Sequence, residues 1–133
     1  MQSDPESVHE LFETFVNEGN LDLIIGLYEP KAVFIQRDGT VVSGVAEITE
    51  IIRGFLAVKP TMRISPPRKI DAGDIVVLIS DWQMTGTSSD GLAMSDSGQT
   101  YDIVRRQPDG TWRVVVDNPR STMITPRLEG RSP

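Results

Sequence analysis

The order of its sequence periods predicts an α+β fold for this chain: a curved, mostly antiparallel sheet, with three helices from the N-terminal half laid over its concave face. Two observations carry this. Apolar residues recur at helical spacing in three segments before residue 57, interrupted by one short strand-like run. From residue 61 onward the period changes to that of consecutive strands, punctuated by Gly- and Pro-containing turns. Helices packed on a curling antiparallel sheet leave a cone-like interior, which is where a small molecule would bind.

In the first helix Val8, Leu11, Phe12, Phe15 and Val16 form one face. "SDPES" starts it, with Asp4 as cap and Pro5 where a missing N–H costs nothing, and Gly19 stops it. Asn20 caps a short second helix carrying Leu21, Ile24, Ile25 and Tyr28, which ends before Pro30. "AVFIQ" (32–36) reads as a strand and "RDGT" as a turn. The third helix carries Ile48, Ile51, Ile52, Phe55 and Leu56, with Gly44 and Glu47 at its start and Pro60 beyond its end.

"TMRISPPRKI" reads as a strand broken or bent at Pro66-Pro67, because proline cannot donate to a ladder. Residues 74–87 form a long strand, "SSDGLAMSDSG" a polar connection, and "TYDIVRRQPDGTWRVVVDNP" (100–119) a hairpin. Residues 1–119 therefore make one folded unit. The tail, 120–133, has no sustained period and is expected to be mobile.

Composition narrows the function classes. With 133 residues, 38% hydrophobic and 24% charged, the chain has the make-up of an ordinary globular domain. A formal charge of −6 argues against nucleic-acid binding, which needs a basic face. The absence of cysteine excludes thiol nucleophiles, thiolate metal sites and disulfides, and fits a cytoplasmic location. No apolar run approaches the roughly 20 residues of a membrane span, and "MQSDPESVHE" does not read as a secretory signal. His9, the single histidine, sits off the apolar face of the first helix and is expected in solvent, which sets aside histidine catalysis and metal ligation. No motif calls for a cofactor.

The hairpin carries two acids among apolar neighbours, Asp102 and Asp117. A loop centred on Asp109-Gly110 pairs Val104 with Val115, Ile103 with Val116 and Asp102 with Asp117. Two ionised carboxylates at roughly 5 Å and an effective dielectric near 20 repel by about 3 kcal/mol, which drives one of them toward neutrality. A type I turn with a bulge at Gly110 is the alternative register, and it sends Asp117 to the face opposite Asp102. The residues alone leave both registers open.

"EGNLDLIIGLYEPKAVFI", "GTVVSGVAEITEIIRGFL" and "YDIVRRQPDGTWRVVVDNP", in this order, resemble the nuclear transport factor 2-like superfamily in its SnoaL-like or ketosteroid-isomerase-like branch, over residues from about 5 to 119. The resemblance implies a cone-shaped α+β barrel, a deep apolar pocket and a homodimer packed through the outer sheet face. It favours the register in which Asp102, Val115 and Asp117 share the pocket. Where the steroid isomerases hold a base, this chain has Gln36; where they hold hydroxyl donors, it has Phe12 and Ile52. Of their catalytic groups only the protonated aspartate is matched, by Asp102, and Tyr28 matches a further tyrosine near the pocket. Related epoxide hydrolases place an arginine where Thr100 stands.

The expected pocket is therefore lined by Phe12, Tyr28, Phe34, Gln36, Ile52, Phe55, Trp82, Val104 and Val115, with Asn118 at its mouth and Asp102 and Asp117 as proton-transfer groups. Trp82 is a candidate flat wall, and Trp112 a packing or dimer-interface residue. The expected partner is a small apolar organic molecule with a polar end. Two readings stand: a cofactor-independent isomerase, cyclase, dehydratase or hydrolase, and a non-catalytic ligand-binding or assembly module.

Overall fold

Asp4 accepts from Ser7 N at 3.1 Å and so opens the first helix, α1 (Ser7–Glu18), in a computed structural model that describes residues 4–124. Gly19, at φ +67°, ends α1, a conformation that costs glycine least. The Asn20 side chain caps α2 (Leu21–Ile25) through Leu23 N at 3.1 Å. β1 (Tyr28–Ile35) and β2 (Val41–Ser43) follow as a hairpin, then α3 (Val45–Leu56), β3 (Thr61–Ile64), β4 (Arg68–Asp71), β5 (Ile75–Thr87), β6 (Ala93–Arg106) and β7 (Trp112–Asn118).

The sheet runs β2-β1-β7-β6-β5-β3, with β4 also pairing β5. It curves but does not close. Every pairing is antiparallel except β1 with β7, so the C-terminal ends of those two strands lie at the same end of the sheet. The core fills the space between the helices and the concave face, with Ile24, Ile48, Leu78 and Val104 fully buried.

Strand β3 ends the sheet, and α1 covers its open edge with side chains. Asn17 accepts from Met62 N at 2.7 Å and donates to Met62 O at 3.0 Å, while Glu13 accepts from Ile64 N at 2.9 Å. Side chains thus satisfy an edge that would otherwise present unpaired backbone groups.

Two local expectations are corrected. Tyr28 begins β1 rather than extending the second helix. β1 tolerates Pro30 because its register with β7 is broken between Tyr28 and Val33, so the missing N–H is not needed there. The polar residues 93–98 are strand, not connection, because β6 pairs with β5 continuously from Ile75↔Arg105 to Thr87↔Ala93. Backbone pairing to a long neighbour outweighs their weak strand propensity. "TMRISPPRKI" is broken at its prolines, one of its two expected forms: β3 and β4 lie on either side of them, both paired to β5.

The hairpin uses both of its expected registers in turn. Near the loop, Gln107 N bonds Thr111 O at 2.7 Å, Gly110 N bonds Gln107 O at 2.9 Å, and Gly110 takes φ +85°. This is the bulged turn, and it pairs Arg106 with Trp112 and Val104 with Val114. The register then shifts, so that Val115 is the extra residue, and Ile103 faces Val116 and Asp102 faces Asp117. The expected Val104–Val115 pairing is therefore replaced, while the acid pairing is present. A bulge opposes two residues to one, which lets Val114 and Asp117, three apart, point to the same face.

Candidate functional site

The concave face, α1 and α3 enclose a cavity of about 290 Å³. α1 supplies Val8, His9 and Phe12, and α3 supplies Ile51, Ile52 and Phe55. From the sheet come Phe34, Met62, Ile64, Trp82 and Val114, so most of the wall is apolar. The polar groups gather in two places: His9, Thr100, Asp102 and Asp117 at the buried end, and Gln36, Arg37 and Arg120 just past the ends of β1 and β7.

The buried end is one hydrogen-bonded chain. Ser80 Oγ lies 2.8 Å from His9 Nδ1, and His9 Nε2 lies 2.5 Å from Asp102 Oδ2. Asp102 Oδ1 accepts from Thr100 Oγ1 at 2.9 Å and from Asn118 N at 3.2 Å. Asp117 faces Asp102 and shares a hydrogen bond with it, and the Tyr28 hydroxyl donates to Asp117 Oδ2 at 2.6 Å. His9, Ser80, Tyr28, Thr100 and both acids are all buried.

The two carboxyls are driven apart in acidity. Burial disfavours charge on Asp102, but the bonds from His9, Asp117 and Thr100 and the charge interaction with His9 outweigh it and hold Asp102 below its usual range. Burial pushes Asp117 well above that range. The neighbouring Asp102 charge and hydrogen bond push it further, and the Tyr28 bond offsets only part. Tyr28 is raised as well, by burial and then by Asp117, and stays a neutral donor. The pair is thereby split, with Asp117 holding its proton more tightly than an ordinary carboxyl and Asp102 less tightly.

Of the residues expected at the pocket, Phe12, Phe34, Gln36, Ile52, Phe55, Trp82, Asp102 and Asp117 line the cavity. Tyr28 is buried behind it and reaches it through Asp117. Val104 is wholly buried and Val115 is the half-buried bulge residue; neither is among the lining residues. Asn118 gives its backbone N–H to Asp102, while its side chain holds Thr122 N and O at 2.9 and 3.1 Å. Trp82 does form a wall. Its ring lies so close to Gly98 that an added Cβ there would sit 3.0 Å from it, and Nε1 donates to Pro119 O at 2.6 Å. Trp112 is buried with the Arg106 guanidinium 5.0 Å over its ring.

His9 corrects the sequence reading most. It is 4% exposed and faces the sheet, not solvent. The apolar stripe drawn through Val8, Leu11 and Phe15 placed it off the face. The row His9, Phe12, Val16 is an equally good helical stripe; Val8, His9 and Val16 are buried, and the His9 ring reaches Ser80 of β5 and Asp102 of β6. Thr100, Arg37, Val114 and Arg120 were likewise not singled out as lining groups. Among the described residues no cluster of three His, Cys, Asp or Glu side chains is placed to hold a metal ion, and no helix is long and apolar enough to cross a membrane.

The model of the SnoaL-like domain matches residues 8–120. The chain belongs to the SnoaL-like family. No match is found among curated proteins. Among solved structures, a nuclear transport factor 2-like superfamily protein from Salmonella enterica serovar Typhimurium is 19% identical, with a TM-score of 0.75, over 96% of this chain and 94% of that one. A protein described provisionally as a dehydratase of the same family, from Streptomyces avermitilis, is 14% identical with TM-score 0.71, over 86% of this chain and 93% of its own. The CaMKII hub of S. rosetta is 15% identical with TM-score 0.66, over 84% and 89%. At these identities the likeness is one of fold, and the SnoaL-like cone is seen to serve differently described proteins.

Proposed function

We propose that this SnoaL-like protein binds a small, largely apolar molecule bearing an oxygen function and performs cofactor-independent proton transfer on it, as in a dehydration or isomerisation. The observation that carries the reading is the pair of facing, buried carboxyls at the end of an apolar cavity, with the pKa of Asp117 raised and that of Asp102 lowered. Environments that push two carboxyls apart in acidity assign one as acid and the other as base.

Asp117 gives its proton to the substrate oxygen. Asp102 then loses one of its donors and gains a free acceptor site, so its basicity rises as the acid is spent. The proton released from the substrate carbon returns to this pair, and no net proton is consumed. His9 and Thr100 hold Asp102 in place throughout. The steroid-isomerase arrangement is not available, since Gln36 and Phe12 occupy the positions of its base and hydroxyl donor.

A second reading, ligand binding without chemistry, is favoured by one feature: both ring nitrogens of His9 and both oxygens of Asp102 already face protein partners. The proposal also includes a homodimer through the outer sheet face, supported by exposed Ile70, Ile75 and Tyr101.

The test is proton exchange. Cyclic ketones and β-hydroxy ketones are incubated in D₂O and followed by NMR for α-deuteration or elimination. Catalysis by the wild type that falls about 100-fold or more in Asp117→Asn and Asp102→Asn supports proton transfer. Saturable binding with no exchange supports the second reading. Exchange that is indifferent to both substitutions excludes these acids.

A further inference from the structure

Parallel pairing brings two arginines to the same end of the cavity. The parallel strands β1 and β7 end together at Ile35 and Asn118, and in the turns just beyond them Arg37 and Arg120 both reach Asp96. Both line the cavity. Their exposure marks this as the mouth: the Arg37 side chain is 71% and that of Arg120 25% exposed, whereas Asp102 and Asp117 at the other end are 6% and 7%.

The two guanidiniums share one counter-ion. Arg37 Nη2 lies 3.2 Å from Asp96 Oδ2, and Arg120 bonds the same Asp96 oxygen through Nη2 and its other oxygen through Nη1 at 3.3 Å. Asp96 is held ionised, first by the hydrogen bond from Arg120. Two positive charges against one negative leave the mouth with an excess of one. At the far end the charge of Asp102 is already enclosed by its own donors.

Arg120 is also fixed in place. Its guanidinium lies 5.3 Å over the Trp82 ring, whose other contacts are Gly98 and the Pro119 carbonyl. Asp96 takes two of the five N–H donors that a guanidinium carries. A flat, stacked guanidinium with donors to spare suits a carboxylate, which it can meet with two parallel bonds.

We infer that the ligand of this cavity is a carboxylic acid: an apolar ring or chain between Phe12, Phe34 and Phe55, with its carboxylate held at the mouth by Arg120 and Arg37. The inference rests on the reading of the cavity as a small-molecule site and adds the charge of the molecule it selects. It also sets the polarity of binding. The carboxylate points outward, and the end of the molecule that reaches Asp117 is the uncharged one.

The experiment compares aromatic and alicyclic carboxylates, beginning with 3-phenylpropanoate, with their primary amides, which match them in shape and lack the charge. Binding is read from the indole N–H signal of Trp82. The wild type is expected to bind the carboxylate about tenfold or more tighter than the amide, since bonds between charged groups are roughly twice as strong as neutral ones. The preference should weaken as salt is added. Arg120→Gln and the more exposed Arg37→Gln should each reduce the preference while leaving amide binding in place, and the retained amide site shows that the fold is intact.

Equal affinity for acid and amide, a preference unchanged in both variants, or no saturable binding of any carboxylate at millimolar concentration overturns the inference. Its failure is separable from that of the proton-transfer reading. Acid and amide binding equally, with exchange still dependent on Asp117, removes only the carboxylate. A carboxylate preference with no exchange removes only the chemistry.

Discussion

Asp117 is a carboxyl whose pKa the fold raises, and this has a direct consequence for stability. Its native pKa lies above its unfolded value of about 3.9, so the native state binds the proton more tightly. The stability it contributes is complete below about pH 3.9 and is lost as pH rises toward the native value. Asp102 has the opposite sign: its contribution is present above about pH 3.9 and is lost as pH falls through its depressed native value. Asp117→Asn keeps the shape without the ionisation. Urea midpoints measured from about pH 4 to 8 should decline in the wild type and run flatter in the variant; parallel profiles would show that Asp117 is not the group being titrated. The acid pair was visible in the sequence because strand alternation and a Gly-containing turn are local. His9 was not, because a helix offers several overlapping stripes, and only the packing of α1 in the folded chain chooses among them.

At the level of elements, the connection between α1 and β3 decides how the cavity is roofed. Asn17 satisfies both backbone groups of Met62 on an edge strand, and Met62 itself lines the cavity. Asn17→Ala leaves an N–H and a C=O without these partners, at a cost of about 1–3 kcal/mol given their partial access to water. Chemical denaturation should show the loss, and amide exchange at Met62 should rise more than in β6. A Met62 amide as protected as before would place the latch elsewhere. Most helices and strands were legible from periodicity and caps: Asp4, Asn20 and Gly19 act where their chemistry puts them. The hairpin register was not legible, because both candidate registers are used and the bulge at Val115 that switches between them carries no Gly or Pro to mark it.

For the whole molecule, the outer sheet face is the remaining question of assembly. Ile70, Ile75 and Tyr101 are each at least 40% exposed on the sheet face opposite the helices. A stable pair would bury about 800 Å² per partner. Sedimentation equilibrium at micromolar concentration should give a dimer, and Tyr101→Lys should shift it toward monomer; a monomeric wild type removes the dimer from the proposal. The fold class followed from the sequence alone, since helix and strand periods, caps and turns act within a few residues. The site did not. His9 meets Ser80 and Asp102 across sequence separations of 71 and 93 residues, and Arg37 meets Asp96 across 59. Such meetings depend on sheet order and register, and the acidity of Asp117 depends on burial that exists only once the sheet has curled around it. Local chemistry determined which elements form; tertiary packing alone decided which side chains face one another and which proton is kept.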